Sequence, residues 1–177
     1  MKIFKQFMLL LMVCSLVTLA ACSSDDDGDG GGSAPSGTLT AKVDGTNYQS
    51  MEIASSAIVS NAGGGAQNLI IIAANSDGKS FAMTVFGYEG TGTYEFTGAN
   101  IAVTNTASYT ETDVSDPMNP TSEIWQAPFD NTSVGSVTIT EETNDKVKGT
   151  FSFMGKNVNG DNSIKDITDG AFDLNKQ

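Results

Sequence analysis

Residues 136–153 read SVTITEETNDKVKGTFSF. Val137 and Ile139 alternate with threonines, Asn144-Asp145 supplies turn residues, and Val147, Gly149, Phe151 and Phe153 then share one face of a returning segment. A period of two sustained on both sides of a turn is the pattern of an antiparallel hairpin with one buried face. The rest of the body has the same texture. In 38–43 (TLTAKV) the residues Leu39, Ala41 and Val43 share a face, Asp44-Gly45 follows as a two-residue turn of the I′ kind, and 46–50 return with Tyr48. Residues 51–60 mix small and apolar side chains and read as either strand or short helix, ending at Gly63-Gly64-Gly65. Residues 68–74 (NLIIIAA) are apolar on both parities, which predicts a strand covered on both sides. Asn75-Ser76-Asp77-Gly78 turns the chain, and Phe81, Met83 and Val85 then share a face. Further short segments are expected around Tyr94, Ile101 to Val103, Tyr109, Ile124-Trp125, and Phe172 with Leu174. No helical periodicity is sustained anywhere in the body. The expected fold is all-β, an antiparallel β-sandwich or flattened barrel of about eight to twelve short strands.

Three segments echo one another. GTYEF at 92–96, GTFSF at 149–153 and GAFDL at 170–174 share the form glycine, small, aromatic, any, apolar. Their spacing is irregular, so they are not a fixed-period repeat. The form reads as strand grammar, with the aromatic turned to the core and glycine marking a bulge or a tight approach.

The beginning of the chain has a different organisation. Lys2 and Lys5 precede an apolar stretch from Phe7 to Leu19, and small residues follow, which are the three parts of an export signal. The stretch is short for a spanning helix, which needs about 20 predominantly apolar residues. Leu19-Ala20-Ala21-Cys22 resembles the lipobox of bacterial lipoproteins. That resemblance implies a diacylglycerol on the Cys22 thiol and removal of residues 1–21. Ser24-Asp25-Asp26-Asp27 likewise resembles the acidic signal that sends lipoproteins of Bacteroidota-type bacteria to the outer face of the outer membrane. The organisation expected is therefore a signal peptide over 1–21, a lipidated cysteine with a disordered acidic Gly/Ser tether over 22–37, and a single β-domain over 38–177. Lipoprotein processing and export machinery are then implied partners, with the outer membrane as the anchor site. The body, through GTY, SYT, VTITEE, GTFSF and DGAFDL, resembles a family of small uncharacterised all-β domains carried on lipoproteins of the same bacteria. This second resemblance implies an extracytoplasmic β-sandwich or flattened barrel, and brings no activity with it.

The acidic run has to be weighed against calcium. Asp25, Asp27, Asp29 and Gly30 match the opening of an EF-hand loop, but the twelfth position, which should be a bidentate Glu, is Ser36, and no amphipathic helix flanks the run. Asn157 to Ser163 (NVNGDNS) has a superficial likeness to a calcium loop and reads better as a turn. No cofactor and no metal site is expected.

Composition removes most other chemistry. The 177 residues contain no His and no Arg, and both cysteines, Cys14 and Cys22, lie before the body. Ser-His-Asp and Cys-His nucleophiles and His-ligated zinc are thereby excluded from the body. GYEGTG at 87–92 lacks the Lys-Ser/Thr of a phosphate-binding loop. After Gly37 there are 17 acids against seven lysines, which disfavours a nucleic-acid partner. Paired carboxylates remain as a distant catalytic possibility, a hydrolase needing two of them about 5 Å or 6.5–9.5 Å apart.

The segment 109–129 is the candidate binding surface, with Tyr109, Asp113, Asp116 and Trp125 as its candidate residues. An aromatic beside carboxylates on a loop suits a sugar ring or a calcium ion. The competing reading makes Trp125 an inward strand residue and the loop a plain connection. The function expected is that of a non-catalytic surface module for a glycan or protein partner. The alternative is an accessory subunit of an outer-membrane assembly.

Overall fold

The computed structural model describes residues 32–100, 103–116 and 118–177. The signal peptide, Cys22, the Ser24–Asp27 signal and the Asp25–Gly30 opening of the incomplete calcium loop lie outside them, as do Ile101, Ala102 and Pro117.

Eleven strands follow one another: β1 (Thr38–Val43), β2 (Thr46–Gln49), β3 (Ser55–Gly63), β4 (Ala66–Ala74), β5 (Lys79–Phe86), β6 (Gly92–Thr97), β7 (Thr106–Asp113), β8 (Thr121–Ala127), β9 (Ser133–Glu142), β10 (Lys146–Lys156) and β11 (Ile164–Asn175). They form one sheet in the order β2-β1-β11-β10-β8-β7-β5-β4-β3, with β9 branching from β10 and β6 pairing β9. All pairings between these strands are antiparallel. The sheet curls over its own core into a half-barrel, and one isolated parallel bridge between Ala57 and Lys176 brings β3 to the end of β11. The expected all-antiparallel β-domain is thus observed as a single curled sheet.

The hairpin at 136–153 forms as its alternation predicts. Val137, Ile139, Val147, Phe151 and Phe153 are all buried, and β10 pairs β9 from Val147 opposite Glu142 to Phe153 opposite Gly135. Asp44 and Gly45 have φ of 48° and 78°, the two left-handed residues of a type I′ turn, and Val43 pairs Thr46 across them. The ambiguous stretch after Met51 contains both elements, a 3-10 turn over Glu52–Ala54 and then β3. Val103 lies in a bend, not a strand.

One expectation is corrected. β4 is covered on one face only: Leu69, Ile71 and Ala73 are buried, whereas Ile72 is 42% exposed and Ile70 is half-buried. The sheet curls around a single core, so no second layer covers the outer face among the described residues. Outward isoleucines there pair with Ile58 on β3 and Ala82 on β5, side-chain neighbours that a pleated surface accepts.

Two of the three echoed segments, on β10 and β11, have a cross-strand explanation. Gly149 lies opposite Phe172, and Gly170 lies opposite Phe151, so each motif places its aromatic over the other motif's glycine. A Cβ on Gly149 would meet Phe172 Cζ at 2.6 Å, and one on Gly170 would meet Phe151 Cδ1 at 2.7 Å. The glycines are small because the rings of the partner strand occupy the space.

A polar cluster fastens the chain end. Glu142 accepts from Lys176 Nζ at 2.7 Å and from the Tyr88 hydroxyl at 2.8 Å. Burial works against the Glu142 carboxylate, but the hydrogen bonds from Lys176 and Tyr88 outweigh it and hold its pKa below the ordinary 4.5. A carboxyl depressed by folding stabilises the fold above its unfolded pKa, and that contribution is lost as pH falls through the lower folded value. Glu142→Gln, which keeps an acceptor but loses the charge, is therefore expected to lower stability at pH 7 by about 1 kcal/mol, the net size of an ordinary hydrogen bond. In urea titrations the gap between wild type and variant should narrow as pH drops below 4.5. A gap that stays constant to pH 3 would contradict this linkage.

Candidate functional site: a polar cleft at the seam of the sheet

The sequence directed attention to 109–129, and the structure separates its four candidates. Tyr109 and Trp125 pair across β7 and β8, are 1% and 3% exposed, and set their rings 6.0 Å apart inside the core. Asp113 ends β7 and Asp116 lies in the connection that follows, both exposed. Their carboxylates serve their own turn: Asp113 Oδ1 accepts from Ser115 N at 2.8 Å, and Asp116 accepts from Met118 N and from Asn119 Nδ2 at 3.0 Å each. Those bonds hold both carboxyls below the usual carboxylate range: for Asp113 the backbone N–H of Ser115 comes first, and for Asp116 the Asn119 side chain. This is Asx-turn chemistry. The 157–163 turn is likewise a turn, closed by Asn157 N to Ser163 O at 2.9 Å. Its Ser163 Oγ accepts from Trp125 Nε1 at 2.9 Å and so satisfies the buried indole.

Tyr109 belongs to a different site. A cleft of about 260 Å³ opens between β2 and the β4–β5 turn, and Asn47, Tyr48, Asn75, Lys79, Glu111 and Lys165 are among its walls. Its floor is aromatic and fixed. The Tyr48 hydroxyl donates to Ala73 O at 3.2 Å, and the Tyr109 hydroxyl donates to Glu111 Oε1 at 2.8 Å. Burial, and for Tyr109 also the adjacent Glu111 carboxylate, pushes both phenols well above their ordinary value, so each stays a neutral donor.

The back of the cleft is a charge network centred on Lys165. Its ammonium lies 3.3 Å from Glu111 and 3.8 Å from Asp44, and it sits over the Trp125 ring at 4.5 Å. A cation held by two carboxylates and an aromatic face is committed to holding the cleft's shape. Lys79 differs, since its ammonium is in no ion pair or hydrogen bond among the described residues. Asn75, also in the lining, spends its oxygen on Asp77 N and Lys79 N at 3.0 and 3.1 Å.

The cleft lies at the end of the sheet remote from the point where the chain enters. Gly37 N donates to Asp173 O at 2.6 Å, and Ser36 Oγ accepts from Lys146 Nζ at 2.6 Å beside the β9–β10 turn. From there β1 runs six residues to the Asp44–Gly45 turn at the cleft, a distance of about 17 Å at the ordinary strand rise. Sequence reasoning missed this site because its walls come from β2, the β4–β5 turn, β7 and β11. Only the Asp44-Gly45 and Asn75–Gly78 turn signals marked its rim.

A curled, all-antiparallel β-domain with a polar seam cleft is what the fold and site define. A family model for a domain of unknown function, DUF6252, matches residues 36–173, and the chain belongs to that family. The match starts at Ser36, next to the first strand, so the family unit is the β-domain itself, as expected of an uncharacterised all-β domain family. Neither the search of curated proteins nor that of solved structures returned a match.

Proposed function

We propose that the chain is a lipoprotein anchored through an acylated Cys22 and displayed on the outer face of the outer membrane. Its β-domain is a non-catalytic module that binds a protein partner through the seam cleft. The observation that carries this reading is the placement of the cleft at the end of the sheet opposite Ser36, where the segment leading from Cys22 joins the domain. A tether entering at one end presents the other end outward. A protein partner is preferred to a glycan because Tyr109 and Trp125, the rings on which a sugar would stack, are buried. A hydrolytic role is not favoured, since Asp44 and Glu111 in the cleft share Lys165 as their common counter-ion. The accessory-subunit reading has its own support in the outward Ile70 and Ile72 beside Ile58 and Ala82, an apolar strip on the outer face.

Placement is tested on intact cells. Added protease is expected to digest the wild-type protein, and Asp25→Ala with Asp26→Ala and Asp27→Ala is expected to protect it while fatty-acid labelling at Cys22 persists. Equal digestion of the two forms would overturn the outward address.

A further inference from the structure

The strand β2 is the end of the sheet order, paired to β1 on one side and to no strand on the other. Ser50 N donates to Leu39 O at 2.9 Å, and the pairs that precede it are Gln49 with Thr40, Tyr48 with Ala41, Asn47 with Lys42 and Thr46 with Val43. Hydrogen-bonded and non-bonded pairs alternate along an antiparallel ladder, so Tyr48 and Thr46 bond inward to β1 while Asn47 and Gln49 direct their N–H and C=O groups outward. Neither backbone makes a hydrogen bond on that outward side among the described residues, and both residues are exposed, whereas the next outward N–H, that of Met51, is taken by Ala74 O at 2.9 Å, so the open edge is Asn47 to Gln49. Two depressions flank this short edge. One is the seam cleft. The other, of about 380 Å³, is lined by Thr40, Lys42, Asn47, Gln49 and Asp169 among others.

We infer that β2 accepts an extended peptide segment of the partner as an added antiparallel or parallel strand, an inference that rests on the protein-binding reading of the cleft. An added strand would satisfy the outward groups of Asn47 and Gln49, and its side chains, which alternate between faces, would enter the two depressions in turn. The Lys79 ammonium, in no ion pair among the described residues, lines the same cleft as a donor for carbonyls of that segment. The surplus of acids in the body, 17 against seven lysines, favours a segment with basic flanks. An edge of this length is short enough not to self-associate, and a defined groove on each side gives it register.

The test uses random linear peptides displayed on phage and panned against the purified full chain in mild detergent. Enriched peptides are expected to bind Gln49→Pro, which deletes one outward N–H, at least tenfold more weakly than Gln49→Ala, which removes the same side chain and keeps the N–H. Proline is tolerated where an edge N–H has no partner, and an unchanged melting temperature for the proline variant verifies that the fold is intact. Peptides that bind Gln49→Pro as well as wild type, or that enrich only on the outer isoleucine face, would overturn strand addition. If no peptide enriches but a folded protein or a glycan on an array binds and is lost on Lys79→Ala, strand addition fails and the cleft stands as the site. If no ligand of any kind responds to Lys79→Ala, the cleft reading itself falls.

Discussion

Phe81→Ala is expected to cost about 3–5 kcal/mol, the range for deleting a fully buried aromatic. The Phe81 ring lies 4.9 Å from Tyr48, 5.0 Å from Tyr109, 5.6 Å from Phe151 and 6.3 Å from Phe153. It therefore joins β2, β7 and β10 across the interior of the curled sheet. Its loss removes the surface on which both tyrosines of the cleft floor rest. With a whole-domain stability of about 5–15 kcal/mol, such a change consumes a large share of the folding free energy. The measurement is the urea midpoint at unchanged m value, with Phe81→Leu as a control that keeps most of the volume. A shift of under 1 kcal/mol in the alanine variant would mean that the ring is not the hub described.

The second large effect concerns the reciprocal glycines. Gly149→Ala and Gly170→Ala are each expected to destabilise by about 2–4 kcal/mol, because an added Cβ must displace both a ring and a backbone carbonyl. At Gly149 these are the Phe172 ring and the Thr138 carbonyl, and at Gly170 the Phe151 ring and its own carbonyl. Neither glycine has a left-handed φ, so the effect is one of space and not of backbone strain. Gly32→Ala, where nothing lies within 4 Å, is the neutral control. A cost below 0.5 kcal/mol at both strand positions would show that the rings do not sit over the glycines. The same pairs account for two of the three echoes, those at 149–153 and 170–174, whose strands cover each other's glycine with an aromatic; Gly92 of the third lies opposite Ile139 on β9.

The cleft depends on these packing elements more than on any local motif. Lys165 is held by Glu111 from β7 and Asp44 from the β1–β2 turn, residues 54 and 121 positions away along the chain. No periodicity in a single segment encodes that meeting. Trp125 illustrates the difference. The sequence left it between a binding surface and an inward strand position; its burial beside Tyr109 gives the inward one and makes it the base on which Lys165 lies.

What the sequence determined alone is the local order of the body. Alternation at 38–43, 81–85 and 136–153 dictates strands with one buried face, because successive side chains of an extended backbone point to opposite sides. Asp44-Gly45 dictates a tight turn, because both positions need a left-handed φ and these residue types tolerate it. The tertiary structure alone decided which strands became neighbours, that one sheet curled instead of two stacking, and that β4 kept an open outer face. It also decided that β2 ended the sheet with its outward groups unpaired, beside a cleft drawn from four separate segments. Strand formation follows from nearest neighbours in the chain. Pairing, curl and cleft follow from burying one shared core, a condition that only the whole chain can satisfy.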